Sequence, residues 1–363
     1  MSQLRVLEAI TPSTIGGAEN SVVNFCEQMR ALGVHVELFC PEGRLFVDYA
    51  HGRGLTVHTW KTYGKGDLLT VARLARLVKR INAHVIHTHL STASLLGSLA
   101  ARLAGVPCVA HVHGLNTATC FRKATVVIAV SEAVKSHLVA QGLDSRRVRV
   151  VHNGVELERY QPIPLAEAKA AMGWDVSAPV IGVFGRLSKE KGQMLAVEAH
   201  FLISQRYPMA RLILSGAGKE LDDLAASAVA LKTADRVDFL GYVPDIRPLM
   251  QACDVVMVPS LREGFGLVAV EAMALGRPVV VSAVGGLVEV VEHGVSGLVV
   301  SPNDPNALAE SALRLIEDVS LAESIGTEGR ARVERLFSLK TQVRNVCDVL
   351  SETAHNHAKR DTK

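Results

Sequence analysis

Short β-branched runs alternate with amphipathic or loop segments along most of this chain, and that rhythm limits its fold more than any other feature. The runs are LRVLEAI, VHVELFC, LTVHTW, HVIHTH, PCVAHVHG, TVVIAVS and RVRVVHNG. Strands separated by helical patterns specify a parallel sheet wrapped in helices. The rhythm then restarts. After the proline-bearing connection VHNGVELERYQPIPLAEAKAAMGWDVSAP come VIGVFG, ARLILSG, RVDFLG, DVVMVP, RPVVVS and SGLVV. Two doubly wound, Rossmann-like α/β domains facing an interdomain cleft are therefore expected, with a ligand at the carboxyl ends of the strands. Residues 1–157 form the first domain in this reading and 158–338 the linker and second domain. Residues 339–363 form a C-terminal helix packing back on the first domain, ending in the polar tail ETAHNHAKRDTK, which is expected to fray.

Of the 363 residues, 48% are hydrophobic and 21% charged, the balance of a folded chain rather than a disordered one. No uncharged apolar stretch reaches the roughly 18 residues a membrane span needs, and the opening MSQLRVLEAI has no apolar run before Glu8. The expectation is a cytoplasmic protein. Six cysteines without a C-x-x-C pair are expected to be reduced, buried thiols. Charge is unevenly placed, with 19 basic against 12 acidic residues in 1–172 and 20 against 24 in 173–363.

The familiar nucleotide motifs fit poorly. SGAGKE (Ser215–Glu220) follows Gly218-Lys219 with Glu where a phosphate loop needs Ser or Thr, and GVFGRL lacks a third glycine. Two other segments fit an anion better. FGRLSKEKG places Arg186 and Lys191 just ahead of a helix beginning near Gly192, and two cations beside a helix N-terminus can hold a diphosphate. A solvated basic turn is the plain alternative. In EGFGLVAVEA, Gly264 and Gly266 open another helix whose first N–H groups can meet an anion. Glu263 and Glu271 stand in otherwise apolar company there, and buried carboxylates need partners; sugar and ribose hydroxyls are suitable ones. Alternatively, Glu263 caps the helix and Glu271 is a surface residue.

Taken together, these residues resemble a known family. The Glu263/Glu271 pair in EGFGLVAVEAMALGRPVV, preceded by GRLSKEKG, GYV and ACDVVMVPS and followed by GGLVEVVEHGVSGLVV, resembles the donor half of the family 4 retaining glycosyltransferases of GT-B fold. GGAE (Gly16–Glu19), VIHTH, VAHVHG, VIAVSEAVKSHL and VVHNGVE match in the first half, so the likeness spans residues 4–335. The segment between HVHG and VVIAVS is short for the family, and His152 stands where its motif commonly has proline.

The resemblance implies roles. Glu271 binds the ribose hydroxyls of a nucleotide sugar and Glu263 the hydroxyls of the donor sugar. Arg186 and Lys191 grip the diphosphate, and the amides of Gly264, Phe265, Gly266 and Leu267 complete the clamp. Gly16 and Gly17 form a loop close to the phosphate and acceptor. His113 matches a histidine that reaches the donor sugar, which makes His113, Arg186, Lys191 and Glu263 the implied catalytic set. Read from the residues alone, the alternating pairs His87/His89 and His111/His113 can also be structural or can ligate a metal, although no acidic cluster accompanies them in the sequence.

The implied reaction moves a sugar from a UDP- or GDP-sugar to a glycan or lipid-linked acceptor in cell-envelope or exopolysaccharide synthesis. It retains the anomeric configuration by a front-face route, with no metal, no cofactor beyond the co-substrate and no nucleic acid. A GT-B isomerase or phosphorylase and a non-catalytic nucleotide-sugar sensor are the competing readings. Finally, LLTVARLARLVKRINAHV reads as a helix with Val71, Leu74, Ala75, Val78 and Ile81 on one side and Arg73, Arg76, Lys79 and Arg80 on the other. Leu69 and Leu77 are expected to border the basic side. That face suits peripheral docking on an anionic membrane at the inner face of the plasma membrane, or is an ordinary solvated surface.

Overall fold

The computed structural model describes residues 3–11, 17–43 and 45–361. The chain divides into two compact units, Met1–His152 with Leu339–Lys363 and Asn153–Ser338. The division thus falls at His152/Asn153.

The first unit carries β1 (Arg5–Ile10), β2 (His35–Pro41), β3 (Val57–Trp60), β4 (Val85–His89), β5 (Cys108–Val112), β6 (Val126–Ala129) and β7 (Val148–Val150). They form one seven-stranded sheet in the order β3-β2-β1-β4-β5-β6-β7, with every pair parallel. Strand order reverses between β1 and β4, the switch point where the loops after neighbouring strands part and leave room for a ligand.

The second unit repeats the plan with β8 (Val180–Phe184), β9 (Arg211–Ser215), β10 (Val237–Gly241), β11 (Val255–Val258), β12 (Val279–Ser282) and β13 (Leu298–Val300). Its six strands are ordered β10-β9-β8-β11-β12-β13, again all parallel. Here the switch point lies between β8 and β11. The central strands of the second sheet, β8, β11 and β12, are near-continuous apolar runs because helices cover both faces of a parallel sheet. This is the GT-B architecture, two doubly wound α/β units.

Two segments differ from their sequence reading. The helix Leu339–Asp361 runs through most of the polar tail instead of fraying. Val343, Val346 and Leu350 sit in the core of the first unit beside Phe25 and Val85. His357 Nε2 lies 3.2 Å from the Gly105 carbonyl, which helps hold the last turns. In the helix Leu68–Arg80, Val71, Leu74, Ala75 and Val78 are buried and Arg73, Arg76, Lys79 and Arg80 are exposed, but Leu77 is only 3% exposed. This helix packs along the helix Ser91–Ala104, which widens its buried arc beyond one stripe. Leu68 and Leu69 alone carry apolar surface to that side, at 73% and 53% exposure.

Candidate active site

In the second unit, the loops that follow β8 and β11 flank the switch point. After β8 the backbone turns at Gly185 and passes Arg186, whose side chain is exposed, to a short 3-10 turn, Lys189–Lys191. Gln193 pins this loop, its Nε2 donating to the Arg186 carbonyl at 2.9 Å. Gly192 caps the helix Gln193–Arg206 at φ +65°, and a Cβ there would collide with the Pro259 carbonyl oxygen. The glycine therefore lets the first loop rest against the second. Leu261 and Arg262 complete the contact, both donating their N–H to the Glu190 carbonyl, at 2.8 and 3.1 Å.

That contact delivers Lys191 to Glu263. Lys191 Nζ donates to Glu263 Oε2 at 2.6 Å, and both groups are largely withdrawn from solvent. Glu263 also accepts from Ser260 Oγ at 3.2 Å and from the Gly264 N–H at 3.2 Å. It is not the helix cap. The cap of Leu267–Ala274 is Gly266, at φ +101° with no side-chain cap bond, where a side chain would strike Leu287. Gly264, Phe265 and Gly266 thus form the turn leading into a helix whose first N–H groups have no acceptor within the helix itself.

Glu271 lies in that helix and its carboxyl is not a surface group. Tyr160 donates its hydroxyl to Glu271 Oε1 at 2.9 Å. Burial pushes the carboxyl up to about 7, against the opposing pull of Tyr160 and Arg247. Tyr160 is itself fixed, because Arg330 donates to the carbonyls of both Tyr160 and Ala274. The second unit therefore carries Arg186, Lys191, Glu263, Gly264–Leu267 and Glu271 on two loops and a helix beside one switch point. SGAGKE plays a different part from a phosphate loop: Leu187 bridges to Gly218, and the close approach of Gly216 to Gly185 braces the Arg186 loop from below.

His113 belongs to the first unit, one residue beyond β5, and sits in a cluster of charged and aromatic groups. The parallel register sets Glu8 opposite His87 and His89 opposite His111. Glu8, fully buried, accepts from His87 Nδ1 and His89 Nε2, each at 2.9 Å. His89 Nδ1 lies 3.0 Å from His113 Nε2. His111 stacks on His113, ring centres 4.4 Å apart and planes within 13°. The absence of an acidic partner in the sequence is thus corrected: Glu8 supplies one across the sheet, from a strand 79 residues upstream of His87. Burial alone would raise the Glu8 carboxyl, but His87 and then His89 outweigh it and hold it at about 2. Burial, with His89 and His87 adding to it, lowers His113 to about 3, so its ring is neutral at neutral pH. Among the described residues, His87, His89 and His111 are also the one group of three with ligand atoms within 4.8 Å of one another. Gly17 opens the helix Gly17–Ala31, while Gly16 lies outside the described residues.

Comparison with known proteins decides the family. A model described as Glycosyltransferase Family 4 matches residues 15–159, and one described as Glycosyl transferases group 1 matches 166–332. The D-inositol 3-phosphate glycosyltransferase of Mycolicibacterium gilvum is 31% identical over 364 residues, covering 88% of this chain and 80% of the relative. This chain belongs to glycosyltransferase family 4. As a family 4 glycosyltransferase it is also similar to the UDP-Gal:alpha-D-GlcNAc-diphosphoundecaprenol alpha-1,3-galactosyltransferase of Escherichia coli. That protein is 27% identical, with 80% of this chain and 81% of the relative covered. Among solved structures, Anabaena Alr3699/HepE in complex with UDP-glucose superposes with a TM-score of 0.84 at 27% identity, covering 96% of this chain and 100% of that one.

Sequence reasoning about this glycosyltransferase missed Glu8, Tyr160 and Ser260. Ser260 had a local signal, standing three residues before Glu263. Glu8 left a weaker one, a carboxylate inside an otherwise apolar strand. Among the described residues, no helix of the glycosyltransferase is long and apolar enough to cross a membrane.

Proposed function

We propose that this glycosyltransferase retains anomeric configuration, transferring a hexose from a nucleotide sugar without a divalent ion. The supporting observation is the half-buried Lys191–Glu263 pair at 2.6 Å, with Arg186 on the same loop. Lys191, held by Glu263, and the exposed Arg186 on the same loop supply at the diphosphate the charge that a metal supplies elsewhere. Glu263 serves both sides of the bond to be broken, holding Lys191 in place and offering its remaining acceptor capacity to the sugar hydroxyls.

The chemistry then runs on one face of the sugar. The acceptor oxygen bonds to the anomeric carbon as the bond from that carbon to the diphosphate oxygen breaks. The departing oxygen takes the acceptor's proton, and the nucleoside diphosphate leaves with its charge met by Arg186 and Lys191. Glu271 accepts from the ribose, His113 contacts the donor sugar, and the amides of Gly264–Leu267 line the phosphate. The UDP-glucose bound by Alr3699/HepE and the UDP-Gal in the name of the Escherichia coli relative favour a UDP-sugar donor. The diphosphoundecaprenol acceptor of that relative favours a lipid-linked acceptor and a place in cell-envelope or exopolysaccharide synthesis, met at an anionic membrane face.

Thermal shift against UDP, GDP and ADP, followed by assays with UDP-hexoses, tests the donor. A bound nucleotide at 100-fold its dissociation constant adds about 2.7 kcal/mol of stability. Stabilisation by GDP or ADP but not UDP would overturn the base assignment. Folded protein that binds no nucleotide would overturn the donor site itself.

A further inference from the structure

We propose that Glu8 is a positioning residue: through His89 it fixes the ring proton of His113 on Nε2, leaving Nδ1 to accept a hydrogen bond from a hydroxyl of the donor sugar. The inference rests on the reading of His113 as a donor-sugar residue given above.

An ionised carboxylate accepts hydrogen bonds and donates none, and both oxygens of Glu8 are occupied, one by His87 and one by His89. His89 therefore carries its proton on Nε2. Burial lowers the His89 pKa, so a second ring proton is absent at neutral pH and Nδ1 is a lone pair. That lone pair faces His113 Nε2 at 3.0 Å, which must then be the N–H of the pair. A neutral His113 with its proton on Nε2 presents Nδ1 as an acceptor.

Geometry makes the relay stiff. Glu8 and His89 lie on β1 and β4, adjacent central strands, so strand register sets their spacing. His111 stacks against both His89 and His113, at 5.4 and 4.4 Å between ring centres, and holds the two planes nearly parallel. A buried carboxylate costs several kcal/mol unless it is paired, and a fold that keeps one on a central strand gains here a fixed tautomer at its end. A metal held by His87, His89 and His111 is the rival occupant of this cluster. Both ring nitrogens of His89 are already engaged, so a metal there would break its bond to Glu8 or its bond to His113.

The test is imidazole 1H–15N correlation NMR on the full-length protein at neutral pH, with His113 assigned by its loss in His113→Gln. The expected spectrum shows His113 protonated on Nε2 and bare on Nδ1. The isosteric Glu8→Gln and His89→Phe should each move the His113 nitrogen signals and lower kcat by about 10- to 100-fold, the scale seen when a histidine that ligates a metal loses the partner that orients it. The dissociation constant for UDP should stay unchanged. His113 protonated on Nδ1, signals indifferent to both substitutions, or one equivalent of tightly bound metal lost in His87→Gln would overturn the relay. Signals that move as stated while kcat holds would leave the relay standing and sink the donor-sugar role of His113.

Discussion

Lys191 Nζ and Glu263 Oε2 stand 2.6 Å apart although 72 residues separate them in sequence. The pair joins the loop after β8 to the loop after β11, and each partner has a different expected ligand. Removing one therefore has effects that removing the other does not. Glu263→Ala should abolish turnover while UDP binds as well as before, because the freed lysine still meets the diphosphate. Lys191→Ala should weaken UDP binding and lower kcat by about 100-fold or more, the scale of a lost transition-state donor. Calorimetric titration with UDP separates the two, and near-normal activity in Glu263→Ala would remove that residue from the catalytic set.

Glu271 predicts a pH signature. Its folded carboxyl titrates at about 7 against an ordinary 4.5, so between those values the folded chain holds a proton the unfolded chain has released. Stability attributable to this group is therefore present at low pH and lost as pH rises toward 7. Glu271→Gln keeps an acceptor for Tyr160 and should exceed the wild type in stability at pH 8 by up to about 3 kcal/mol. The difference should vanish in denaturant melts near pH 4. A constant difference at both pH values would mean that the substitution acts by packing alone.

The same group couples to the nucleotide. If the ribose hydroxyls donate to ionised Glu271, UDP affinity rises with pH through about 7 and Glu271→Gln flattens the profile. Equal UDP affinity in wild type and variant across that range would contradict the ribose assignment.

Charge on Arg186 and Lys191 in place of a metal predicts activity that survives EDTA. The product should keep the anomeric configuration of the donor, read by proton NMR of the first-formed linkage. Activity lost to EDTA and restored by Mn²⁺ or Mg²⁺, or an inverted product, would contradict the proposed reaction.

Exposed Leu68 and Leu69 lie at the start of the helix that carries exposed Arg73, Arg76, Lys79 and Arg80. At about 1 kcal/mol per basic residue near an anionic surface, the proposed membrane docking would be reversible and salt-sensitive. Co-sedimentation with anionic liposomes is expected at low salt, lost at high salt and reduced when the four basic residues are changed to Ser. Wild-type protein that ignores such liposomes would identify the face as an ordinary solvated one.

Alternation of β-branched runs with amphipathic segments determined the two parallel sheets, because strands joined through helices have little choice but parallel pairing. Glycine and charge placement determined the Arg186 loop and the Gly264–Gly266 turn, since both depend on residues adjacent in the chain. Tertiary structure alone decided who meets whom. Glu8 reaches His87 and His89 across 79 and 81 residues, and Tyr160 reaches Glu271 across 111, by strand order and linker path that no local pattern encodes. The burial of Leu77 was decided the same way. Its angular place on the helix was legible, but the neighbouring helix that covers it was not, because periodicity reports the direction of a side chain and only packing supplies what stands there.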